Sequence, residues 1–90
     1  MPGRDVLIIN KLGLHARAAA KLVGVANRFA CDIKVGRSAD SLVNGKNIMA
    51  VMMLAASQGT TIHLWAEGEQ AEAALDALDA LIADYFEEGE

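Results

Sequence analysis

"TTIHLWAEG", residues 60–68, decides the fold. Its alternation puts Ile62, Leu64 and Ala66 on one face and Thr61, His63, Trp65 and Glu67 on the other. That is a strand with an apolar face for a core and a second face toward solvent. Directly after it, "EQAEAALDALDALIADYF" (69–86) repeats apolar residues at helical spacing. Ala71, Ala74, Leu75, Leu78, Leu81, Ile82 and Tyr85 form one stripe. A one-sided strand followed by a one-sided helix implies two layers, with the helix covering the apolar face of the sheet.

The rest of the chain fits the same plan. "DVLII" (5–9) is a β-branched apolar run and reads as a strand, and "LGLHA" as a turn or loop. From Ala16 to about Arg28, Ala18, Ala19, Leu22, Val23, Ala26 and Phe29 recur at helical spacing. "DIKVG" (32–36) and "ADSLV" (39–43) read as two strands joined by a hairpin around Gly36 and Arg37. "VNGK" (43–46) is a turn signal. "NIMAVMMLAA" (47–56) reads as a short helix with Asn47 near its N-cap, and its phase turns Val51 and Leu54 inward. The order βαββαβα is that of an α+β, two-layer sandwich with helices on one face of the sheet and the other face open. There is no linker or internal repeat, so a single domain is expected over residues 1–90. The last five residues, "FEEGE", read as a frayed acidic end.

Composition narrows the function. The chain of 90 residues is 53% hydrophobic, yet no apolar run reaches the roughly 18 residues of a membrane span. "MPGRDVLIIN" carries an acid where a signal peptide would be apolar. One cysteine, Cys31, cannot close an internal disulfide, and no His/Cys cluster suggests a metal. A cytoplasmic protein with no direct membrane contact, no metal and no cofactor is expected. Residues 1–66 hold all eight Lys and Arg against three acids, whereas residues 67–90 hold nine acids and no base. The basic part lacks the aromatic platforms and dense Arg/Lys clusters of nucleic-acid binders, so no nucleic acid is expected. An acidic protein partner or a phosphate fits better.

"NKLGLHARAAAKL" (10–22) holds the candidate chemistry. His15 stands at the start of the first helix, where backbone N–H groups lack helical partners and the helix dipole presents positive charge. Such ends bind phosphate and disfavour a cationic ring. A neutral imidazole is a nucleophile. A phosphoryl group taken up on His15 would lie over the N–H groups of Ala16 and Arg17, with the Arg17 guanidinium pairing its oxygens. Gly13 lets the chain turn sharply. Arg17, Lys21 and Arg28 fall on one helical face as a basic stripe suited to an acidic partner. The bland alternative is a surface histidine beside merely solubilising bases; His63 and Trp65 keep that plain surface reading.

The motif resembles the active-site segment of the HPr family, the histidine-containing phosphocarriers of the bacterial phosphoenolpyruvate:sugar phosphotransferase system. The usual family form is Gly-Leu-His-Ala-Arg-Pro-Ala. "VNGKNIMAVMMLAASQGTTI" resembles the second family motif, and the resemblance covers nearly the whole chain. It implies an open-faced sandwich of four antiparallel strands under three helices. It implies that His15 takes a phosphoryl group from phosphorylated enzyme I and passes it to the A component of an enzyme II, with Arg17 stabilising the phosphate. Ile48, Met49 and Met52 match the docking patch; Lys21, Arg28 and Asn47 are further candidate partner-binding residues, and a monomer is expected. Met suits a surface that meets several partners.

Two departures stand out. Ala18 replaces the family's proline, at little expected cost in a first helical turn. Asn47 occupies the position where many relatives carry a kinase-regulated serine, and it has no hydroxyl. The chain then either escapes serine control or resembles the nitrogen-related branch, whose carriers act as regulatory binding modules. A stand-alone phosphatase built on His15 and Arg17 is a further alternative, for which no second acid or base near His15 is evident in sequence.

Overall fold

The computed structural model describes residues 3–87. In chain order the elements are β1 (Gly3–Leu7), α1 (Ala16–Ala26), β2 (Asp32–Gly36), β3 (Leu42–Asn44), α2 (Ile48–Met52), β4 (Thr61–Glu67) and α3 (Ala71–Ala83), followed by a short 3-10 turn, Tyr85–Glu87. The sheet order is β1-β4-β2-β3, and every neighbouring pair is antiparallel. α3 packs on β4 and β1, and α1 packs on α2 and α3. This is the expected open-faced α+β sandwich.

The register shows why one face is dry. Val35 lies opposite Leu64, Ile33 opposite Ala66, and Val6 opposite Ile62. Ile33, Val35, Ile62, Leu64 and Ala66 are all buried. Above them lie Ala18, Ala19, Leu22 and Ala26 of α1, Val51 of α2, and Ala74, Leu75, Leu78, Leu81 and Ile82 of α3. Each large apolar side chain so buried contributes roughly 1.5–3 kcal/mol. The alanines add little area, but they let the helix axes approach the sheet. On the open face, His63 Nδ1 lies 2.7 Å from Asp5 Oδ1, and Lys34 Nζ stands 5.4 Å from the centre of the Trp65 ring.

Element ends differ from the sequence expectation, each for a tertiary reason. β1 covers residues 3–7 rather than 5–9, because its pairing with β4 runs from Gly3↔Trp65 to Leu7↔Thr61. β3 is Leu42–Asn44 rather than 39–43, and Gly36 pairs with Leu42. The connection is therefore a five-residue loop rather than a tight hairpin. It passes so close that a Cβ on Gly36 would collide with the Ser41 carbonyl oxygen. α1 ends at Ala26, two residues before Arg28.

α2 has five residues rather than ten: Leu54 and Ala55 close i→i+3 turns onto Val51 and Met52, and Ala55 is left-handed at φ 52°. Val51 is fully buried as expected, whereas Leu54 is only partly buried against the core. At the C-terminus, Tyr85 is exposed and Phe86 is the buried ring. Both have φ near 54°, so the chain leaves the helical path and swings Phe86 inward. Phe86 is thus part of the core rather than part of a frayed end; residues 88–90 lie outside the described residues.

Candidate functional site

His15 is the N-cap of α1, with extended backbone (φ −75°, ψ 179°) and no side-chain capping bond. Its carbonyl accepts from Ala19 N at 2.8 Å and so opens the helix. The residue is half-buried. No acid lies in the first turn of α1 to compete for the positive end of the helix dipole. Ala16 and Arg17, the first two helical residues, are both exposed beside it. The segment thus places the His15 ring at the start of α1, two residues before the exposed Arg17.

The loop before His15 is fixed from two sides. Gly13 N donates to the Asn10 carbonyl at 3.1 Å, and Asn10 Nδ2 donates to the Gly13 carbonyl at 2.8 Å. Leu14 N then donates to the Ala56 carbonyl at 2.7 Å. Gly13 has φ +67°, and a Cβ there would lie 2.5 Å from the same Ala56 oxygen. Glycine is required at this position for both conformation and space. Asn10, fully buried, had no signal in the sequence beyond its place before the Gly turn.

The remaining candidates separate. Lys21 is part-exposed and committed: its Nζ donates to the Phe86 carbonyl at 2.8 Å and lies 3.9 Å from Glu87. Arg28 is exposed but lies beyond the end of α1, so the three bases do not share one continuous helical face. Asn47 caps α2, its side chain accepting from Ala50 N. Lys46 Nζ donates to the Phe29 carbonyl, just past the end of α1, while Ala56 meets Leu14 just before its start. α1 and α2 therefore run antiparallel, and Asn47 sits at the end of the pair remote from His15.

Ile48, Met49 and Met52 are exposed, and Met53 is 81% exposed. Met53 was not singled out from sequence, although its i+4 spacing to Met49 was a signal. Leu12, in the loop before His15, is also 68% exposed. A cleft of about 340 Å³ lined by Asp32, Ile33, Lys34, Asn44 and Lys46 does not include His15. Among the described residues, no group of three or more His, Cys, Asp or Glu could hold a metal ion. No helix among them is long and apolar enough to cross a membrane.

Comparison with known proteins agrees with this geometry. Residues 3–84 match the family model described as "PTS HPr component phosphorylation site". The chain is 64% identical over the full length of both chains to a phosphocarrier protein HPr of Pseudomonas putida, and 62% identical, again end to end, to one from Pseudomonas aeruginosa. Among solved structures, HPr-C-His from Thermoanaerobacter tengcongensis superposes with a TM-score of 0.90 at 43% identity, covering 98% of each chain. A motif centred on a histidine at a helix start, the sheet order beneath it and end-to-end identity above 60% lead to one statement: the chain belongs to the HPr family, the phosphocarriers of the phosphotransferase system.

Proposed function

We propose that His15 is the phosphoryl-accepting residue, charged by phospho-enzyme I and discharged to the A component of an enzyme II. The observation that carries this is the part-exposed His15 ring at the N-cap of α1, with no acid in the first turn of that helix. In the forward step a neutral ring nitrogen attacks phosphorus in line. The bond from phosphorus to the donor breaks, and the donor keeps its electron pair. The phosphoryl group, now on the ring nitrogen, faces the first-turn N–H groups of Ala16 and Arg17, and the Arg17 guanidinium forks onto its oxygens. The reverse attack by the next acceptor empties the site. Donors supplied by the start of the helix itself keep the reorganisation in either step small.

Ile48, Met49 and Met52 supply a flexible apolar docking surface, with Asn47 at the start of that helix. Lys21 and Arg28 add positive charge at its rim; Lys21 does so while tied to the Phe86 carbonyl.

The test is incubation with phosphoenolpyruvate and enzyme I, followed by rapid mixing with candidate acceptors. Transfer to an A component of a sugar permease supports a role in sugar uptake. Asn47 supports a second reading. It has no hydroxyl, and its amide oxygen is occupied by the cap, so serine-type control does not operate there. A nitrogen-branch carrier that regulates partners by binding would behave this way. Affinity capture of the phosphorylated and unphosphorylated forms separates the two: a regulator or ion transporter as the main partner favours the second reading.

A further inference from the structure

Among the described residues, Asn10 is the buried polar side chain. It is fully shielded from water, and its Oδ1 has no hydrogen-bond partner. Burying an unpaired carbonyl opposes folding, and an apolar residue of similar size would avoid that penalty. The Nδ2 side is different, because it donates to the Gly13 carbonyl at 2.8 Å. This bond and the Gly13 N to Asn10 O bond close residues 10–13 from both directions. One residue later, Leu14 N is clipped to the Ala56 carbonyl. Ala56 is itself preceded by Ala55, a non-glycine residue held at φ 52°. Two locally unfavourable features, a half-satisfied buried amide and a left-handed alanine, thus flank the same contact. The last residue of this lock, Leu14, is directly followed by His15.

We infer that Asn10 is a positioning residue, holding the 10–14 loop so that the His15 ring stands correctly over the start of α1. The inference rests on the reading of His15 as phosphoryl acceptor. Asn10 touches no reacting atom; it acts through the Gly13 carbonyl and the Leu14–Ala56 clip. Its amide group serves loop geometry rather than stability.

A pair of near-isosteric variants tests this. In Asn10→Thr the hydroxyl can still donate to the Gly13 carbonyl, whereas Asn10→Val has similar volume and no donor. Three readouts are taken on the full chain: the urea midpoint, steady-state phosphorylation by enzyme I with phosphoenolpyruvate, and hydrogen exchange at the Leu14 amide. The expected result is a urea midpoint for Asn10→Val at or above that of Asn10→Thr. The Val variant should show kcat at least tenfold below wild type with KM within twofold, and Leu14 exchange at least tenfold faster. Asn10→Thr should recover most of kcat. A Val variant with kcat and Leu14 exchange within twofold of wild type would overturn the inference. So would a Val variant that fails to fold while the Thr variant folds, because the amide would then serve stability. If the wild type itself took no phosphoryl group, the reading of His15 would fall. The Leu14 exchange rates would still decide whether Asn10 positions the loop.

Discussion

Gly24 and Ala55 each occupy a backbone setting that favours the other's residue type. Gly24 lies inside α1 with no atom within 4 Å of a built Cβ, so a methyl group fits there without a clash. Glycine in a helix interior is less stable than alanine, and Gly24→Ala should raise stability by about 0.5–1 kcal/mol in urea denaturation. Ala55, at φ 52°, is strained where glycine would be relaxed. Ala55→Gly should raise stability by roughly 0.5–1 kcal/mol, and a loss of stability would show that the Ala55 methyl group packs productively. At this scale His15 and Arg17 were legible in sequence, because a helix start, a nucleophilic ring and a guanidinium lie within a few residues of one another. Asn10 was not legible: its role comes from the burial of the turn and from a clip to Ala56, 42 positions after Leu14.

α2 is too short to hold its shape alone, since isolated helices below about 12–15 residues are marginal in water. Its N-terminus is secured by Asn47, whose side chain accepts from Ala50 N. Asn47→Ala should cost about 1 kcal/mol, and Asn47→Ser should recover most of it, both measured from urea midpoints. Met49, 66% exposed and part of the proposed docking surface, should behave oppositely to a core residue. Met49→Ala should change stability by less than about 0.5 kcal/mol while weakening binding to enzyme I in calorimetric titration. Element types and order were readable because period 2 and period 3.6 survive in short windows. Element ends were not, because they are set by partners distant in sequence. β1 ends where its β4 partner begins, α2 ends where i→i+3 turns tighten, and α3 ends where Phe86 is drawn into the core.

Two contacts distant in sequence close the fold, one from Phe86 to α1 and one from Arg4 of β1 to α3. Phe86 is fully buried, and its carbonyl accepts from Lys21 on α1. Phe86→Ala should cost about 3–5 kcal/mol, and less than about 1 kcal/mol would show the ring to be dispensable. Across the sheet edge, Arg4 of β1 reaches three acids of α3: Asp76 at 3.1 Å, and Glu72 and Asp79 at 3.3 Å. Burial opposes the charge on Arg4. Its hydrogen bonds to Asp76 and Asp79 and the fields of Asp76 and Glu72 outweigh that and hold its pKa above the ordinary arginine value. The guanidinium therefore stays charged wherever the protein is folded. Three of the nine acids in residues 67–90 thus meet one early residue, a pairing invisible along the chain. Arg4→Met should lower stability by about 1 kcal/mol at low salt, and the gap should narrow toward about 1 M salt as the exposed carboxylates are screened.

A phosphoryl group held on His15 is tested most directly by intact mass after incubation with phosphoenolpyruvate and enzyme I. The wild-type chain and His63→Ala should each gain one acid-labile phosphoryl group, and His15→Ala should gain none. An acid-stable group on Ser or Thr, or undiminished phosphorylation of His15→Ala, would contradict it.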